Sequence, residues 1–215
     1  MKKYFYYIGI ALLYCACNSS GGDMNMYHDC GMEGDAKRYD VRALNKLKNR
    51  YDFPDSAAID HTITLESILA PGNDRDRFSP SKAVEITGYV FDVKMGGDES
   101  CNCHARAVDE RDTHIELVLT PDATEEKQRV IVEVTPRMRE IMSKKGIDWS
   151  TDNLRRTIKG HQVKVTGWLL FDEEHSKQAE NTEPDNDKDW RATCWEIHPI
   201  TKIEILDKQL SSGPL

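Results

Sequence analysis

The stretches HQVKVTGWLLFD at 161–172 and ATCWEIHPITKIEIL at 192–206, joined by an acidic loop, decide the fold. Both read as strands; Gly167 interrupts the first, and Trp195 falls with the inward set of the second. Upstream, AVEITGYVFDVK at 83–94 turns Val84 and Ile86 inward and Glu85 and Thr87 outward, again with an interior glycine, Gly88. A glycine inside a strand pattern marks a bulge or sharp bend, which a small closed barrel needs. Two more strands follow: 113–119, with Ile115, Leu117 and Leu119 on one face, and 129–135, with Val130, Val132 and Val134 on one face. Thr135-Pro136 offers a hydroxyl cap and a first-turn proline to a helix over 137–145, which ends at Gly146. A further helical turn spans 150–159 and closes at Gly160.

Ahead of these strands the chain reads in three pieces. Lys2 and Lys3 precede an apolar run at 4–14 that is too short for a membrane span, and Cys15-Ala16-Cys17 leads into Asn18-Ser19-Ser20-Gly21-Gly22. That is the form of an export signal over 1–17 ending at a cysteine for lipid attachment, Cys17. Polar composition without periodicity predicts a flexible tether over 18–35. Val41, Leu44, Leu47 and Tyr51 recur at helical spacing, which predicts a helix over 36–51 inside an N-terminal helical extension, 36–82. Residues 208–215 are expected to form a disordered tail.

Three strands, a helix and two strands, with glycine bends in the first and fourth, is the order of the OB-fold, a five-stranded Greek-key barrel. VEITGYV at 84–90, VEVTP at 132–136, GWLLFDEEH at 167–175 and WEIHPIT at 195–201 resemble the OB-fold domains of exported bacterial proteins and lipoproteins. The resemblance covers 83–207, somewhat over half the chain. It implies a mainly β fold, an OB-fold barrel with an inter-strand helix and the N-terminal extension, and it implies export; it carries no activity with it. OB-folds commonly bind ligands on the face of strands two and three, between the one–two and four–five loops. Here those loops, 95–111 and 172–191, are the longest polar segments and hold most of the candidate chemistry.

A net charge of -8 disfavours nucleic acid, whose binding is largely electrostatic. With Cys15 removed alongside the signal and Cys17 lipidated, Cys30, Cys101, Cys103 and Cys194 remain as disulfide candidates for an oxidising compartment, with the pairing left open. Thiolates and imidazoles are also zinc ligands, so Cys101, Cys103, His104, His114 and His198 form the alternative metal set, although Cys-x-Cys is poor spacing for it. Tyr89, His114, Glu116, Glu133, His175, Glu196 and His198 mark the candidate ligand-binding face; on an open sheet such outward positions are polar because water wets them. The basic residues Arg137, Arg139, Lys144, Lys145, Arg155, Arg156 and Lys159 read as a solvated helix surface.

The sequence lacks a Gly-rich phosphate loop, a nucleophile–base pair and a paired CxxC set. The expectation is therefore a non-catalytic binding module of a bacterial cell-envelope lipoprotein, without a cofactor, held to a membrane by its lipid and meeting an envelope protein or a small ligand. One alternative is a phosphodiesterase-like hydrolase dependent on zinc or another divalent metal, using His114, His175, His198 and one of Glu116 or Glu196. Single-stranded nucleic-acid binding is the other, disfavoured by charge.

Overall fold

The computed structural model describes residues 24–206. Five strands, β1 (Ala83–Met95), β2 (Thr113–Val118), β3 (Val130–Val134), β4 (Gln162–Phe171) and β5 (Trp195–Ile205), close into a barrel in the order β1–β2–β3–β5–β4. Neighbours are antiparallel except β3 and β5, which run parallel. Among the described residues the barrel is accompanied by helices α1 (Tyr39–Lys48), α2 (Leu65–Leu69), α3 (Pro136–Lys144) and α4 (Thr151–Ile158). This is an OB-fold-like barrel, with α3 and α4 between the third and fourth strands.

Alternation builds the core. Val84, Ile86, Ile115, Leu117, Val130, Val132, Val134, Val163, Val165, Trp195 and Ile197 point inward, and Leu65, Ile68, Met138, Leu154 and Ile158 of the helices join them. The two glycines mark close approaches. A Cβ on Gly88 would lie 2.7 Å from Leu65 Cδ2, so its absence lets α2 reach the barrel. A Cβ on Gly167 would lie 2.4 Å from the Pro199 carbonyl oxygen, where the register between β4 and β5 shifts. Thr135 caps α3 as expected, its hydroxyl accepting from the Met138 N–H.

Three expectations change. First, α1 turns its polar side inward: Asn45, Lys48 and Asn49 are buried, while Val41, Leu44 and Leu47 line an open groove of about 360 Å³ beside Glu173 and Glu174. Second, the tether does not extend to 35. From Met24 the chain is folded, with a hairpin pairing Met26–Tyr27 and Cys30–Gly31, and a disulfide joins Cys30 to Cys103. Third, Arg137 and Arg139 are not solvated. Arg137 donates to the carbonyls of Met24 (2.9 Å) and Cys30 (2.6 Å) and to Asn49 Oδ1 (2.6 Å), so it bolts the N-terminal segment to α3. Arg139 donates to the Trp149 carbonyl at 3.1 Å and to Thr113 Oγ1 at 2.7 Å. Both guanidiniums are buried because irregular backbone carbonyls need donors that no sheet or helix supplies.

Of the other cysteines, Cys101 and Cys194 are buried free thiols. The signal at 1–17 with Cys17, the tether up to residue 23 and the tail at 208–215 lie outside the described residues. Within those described, no helix is long and apolar enough to cross a membrane.

Candidate functional site

The outward residues of β2, β3 and β5 form one row. His114 stands directly opposite Glu133 across the β2–β3 ladder, and Val132 pairs with Ile197 across β3–β5, which brings Glu133 beside Glu196 and His198. Side chains opposed in this way lie within contact range. Glu133 accordingly bridges two imidazoles: His114 Nδ1 is 3.2 Å from its Oε1 and His198 Nδ1 is 3.1 Å from its Oε2. Glu196 Oε2 lies 3.4 Å from the same His198 nitrogen.

This face is not wetted. His114, the most accessible of the row, is 9% exposed; Glu116, Glu133, Glu196 and His198 are at 4% or less. The reason is tertiary: the two long loops and α1 close over the row and bring countercharges with them. Lys48 of α1 is 1% exposed, and its ammonium sits 2.6 Å from Glu99 Oε2 and 3.1 Å from Asp172 Oδ2. Arg191, at the end of the four–five loop, binds Glu196 Oε1 at 2.7 Å. Glu116 is neutralised by Lys94 (2.5 Å) and Arg129 (3.0 Å).

A pocket of about 230 Å³ remains between the loops. Lys94 and Gly97 lie at its exposed margin, the half-buried Trp190 along it, and Glu133, Glu196 and Arg191 on its buried side. Trp190 faces both imidazoles, 5.6 Å from His114 and 6.1 Å from His175 between ring centroids, and donates its indole N–H to Gln178. Several buried polar atoms here have no hydrogen-bond partner: His114 Nε2, His198 Nε2, Asp112 Oδ1 and Arg191 Nη2. Unpaired buried polar atoms are costly and call for an explanation.

The electrostatics follow from burial and crowding. Burial opposes protonation of His198, but Glu133, Glu196 and Asp112 outweigh it and raise its pKa well above the ordinary value. Burial pushes the Asp112 carboxyl up to about 7, with Glu133 and Glu99 adding to the rise and His198 pulling against it. Beside His175 and Glu196, burial works against the charged Asp172. Lys48 and His175 win, holding its carboxyl well below the usual range, and His175 is raised in return through its 2.8 Å contact with Asp172.

The residues expected at the ligand face divide. His114, Glu133, His175 and Glu196 line the pocket, His198 is buried against Glu133, and Glu116 is spent on Lys94 and Arg129. Tyr89 lies on β1, opposite Val118 and Gln162, and does not line the pocket. Of the alternative metal set, Cys103 is consumed in the disulfide. His104 is over half exposed and pairs with Asp98 and Asp35. Cys101 is buried, with its thiol 3.4 Å from Glu99 and 3.8 Å from Asp112; burial first, then those two carboxylates, pushes that thiol well up. Sequence reasoning missed Lys48, Glu99, Asp112, Asp172 and Arg191. Asp112 alone carried a local signal, since 112, 114 and 116 continue one alternation. No protein-family model matches the chain, and no curated protein matches it.

Proposed function

We propose that the chain is a non-catalytic binding module whose pocket between the 95–111 and 172–191 loops takes a small polar ligand. The observation that carries this reading is the placement of ionisable groups. A row of histidines and carboxylates, with Arg191 among them, is buried beneath two loops around an open pocket, and several of its polar atoms lack partners. Burying such groups weakens a fold more often than it strengthens one, so their presence points to a ligand that they hold. Arg191 and His114, whose buried Nη2 and Nε2 lack hydrogen-bond partners, line the space it would fill, and the face of Trp190 offers an apolar wall.

Kinship with exported bacterial lipoproteins, a lipid anchor at Cys17 and residence in the cell envelope belong to the same proposal. The Cys30–Cys103 disulfide supports them, because disulfides persist in oxidising compartments. A metal-dependent hydrolase is the second reading, favoured by the approach of Asp112, Glu133 and His198 to one another. Nucleic-acid binding is not supported by a face so rich in carboxylates.

The test is an isotope-edited NMR screen of the full chain against small amino acids, sugar phosphates and nucleotides. The expected result is shifts at Gly97, His114, the Trp190 indole and Arg191, with Trp190→Ala weakening the hit about tenfold, as loss of an aromatic wall does. Shifts confined to the groove along α1 would sink the proposal.

A further inference from the structure

We infer that Asp112, Glu133 and His198 form a binding site for one divalent transition-metal ion on the buried side of the pocket. The inference rests on the preceding reading for what the ion would do there, namely present an open coordination position to the polar ligand. Its own test uses the metal alone.

Three observations carry it. Each of the three residues offers a ligand atom within 4.8 Å of the others. The site also has unspent bonding capacity: His198 is 0% exposed and Asp112 3%, yet His198 Nε2 and Asp112 Oδ1 have no hydrogen-bond partner. That His198 nitrogen faces Asp112 Oδ2 at 3.9 Å, which is too long for a hydrogen bond. The third is charge. Among the described residues around the pocket, Glu99 and Asp172 are paired with Lys48, Glu116 with Lys94 and Arg129, and Glu196 with Arg191. Asp112 and Glu133 have ion pairs only with imidazoles. A dication would neutralise these two carboxylates.

The surroundings of His198 match what a metal-bound histidine requires. A ligating imidazole almost always gives its other ring nitrogen to a carboxylate, which fixes the tautomer and the ring plane. His198 Nδ1 has Glu196 at 3.4 Å to fix it, which leaves Nε2 for the ion, while Glu133, 3.1 Å from the same Nδ1, would turn from that nitrogen to the metal. One imidazole beside two carboxylates suits Zn²⁺, of borderline hardness, or the harder Mn²⁺, better than Mg²⁺ or Cu⁺. Glu196 is thus a positioning residue, held in place by Arg191.

The experiment is calorimetric titration of the chelator-treated full chain with Zn²⁺, Mn²⁺ and, for contrast, Mg²⁺. One equivalent of Zn²⁺ or Mn²⁺ is expected, with Asp112→Asn and Glu133→Gln each weakening it at least about tenfold. Glu116→Gln, on the same face but already neutralised, is expected to change it less than about twofold. Because variants at buried acids can unfold, Co²⁺ loading of the unaltered chain gives a second readout, a hyperfine-shifted imidazole N–H assigned to His198. Absence of stoichiometric binding, uptake at several weak sites, undiminished binding in folded Asp112→Asn, or no shifted His198 resonance each overturns the inference. A chain that binds no metal but shows the NMR shifts described above loses the ion and keeps the pocket; one that takes the metal and no polar ligand does the reverse.

Discussion

At the scale of single residues, the pocket is two charge problems solved differently. Around Asp172 the countercharges are present: Lys48 and His175 keep the carboxylate ionised although it is 1% exposed. Its pair with His175 has a definite pH signature. The folded pKa of His175 is raised, so its stabilising contribution is complete below the unfolded value of about 6.5 and is lost as pH rises through the folded one. Asp172, whose folded pKa is lowered, gives the complementary arm: its contribution is present above the unfolded value of about 3.9 and is lost as pH falls through the folded one. His175→Asn is therefore expected to cost about 1–2 kcal/mol at pH 6 in urea melts, a difference that shrinks toward pH 9. A difference that grew with pH would mean that the pair is not ionic. Alternation made His114, Glu116, Glu133, Glu196 and His198 legible in the sequence, because register needs only period two. Their burial was not legible, because it is imposed by loops distant in sequence, and Lys48, which lies 124 positions before its partner Asp172, had no local signal at all.

At the scale of elements, the strands were read within a residue at each end, since each needs only its own inward set, apart from the last, which was begun three residues early at 192. Gly88 and Gly167 fell where close approaches require them, with a register shift at Gly167 and, in β1, between Val90 and Asp92 instead of at Gly88. The larger exception is α1. Its apolar residues keep helical spacing, but the side that docks is the polar one. Asn45 reaches the Glu33 carbonyl and Ser100, Asn49 reaches the Met32 and Cys101 carbonyls, and Lys48 reaches Glu99 and Asp172. Periodicity cannot identify such a face, because what the helix packs on is irregular backbone and buried charge, which demand donors and not methyl groups. The docking should depend on Lys48 more than on the apolar row. Lys48→Met strands a buried carboxylate and is expected to destabilise the protein by about 3–5 kcal/mol. Leu44→Ser, on the groove side, is expected to cost under about 1 kcal/mol. Chemical denaturation of the two variants checks the ranking, and a larger loss for Leu44→Ser would refute the description of α1.

For the whole molecule, the barrel and its topology followed from strand order, whereas the integration of residues 24–35 did not, because it depends on which cysteines pair and on Arg137, a residue that helical spacing alone assigns to solvent. The disulfide closes a loop with a sequence separation of 73. On the chain-entropy view, a closure of that size restrains the unfolded state by about 4 kcal/mol. Reduction, or a Cys30→Ser/Cys103→Ser pair, is expected to lower the unfolding free energy by about that amount while the near-ultraviolet spectrum of the barrel tryptophans persists. Loss of the barrel signal at neutral pH without denaturant would show that the barrel cannot stand without the staple.

The same bond also sets a route for mechanical force. Tension applied to the chain upstream of Cys30 and resisted at its other end passes through sulfur to Cys103, bypassing the backbone from 31 to 102, where α1, α2 and β1 lie. Those elements are carried in a covalent ring outside that path, and the pull is first felt at Cys103, nine residues before Asp112, in the loop that roofs the pocket.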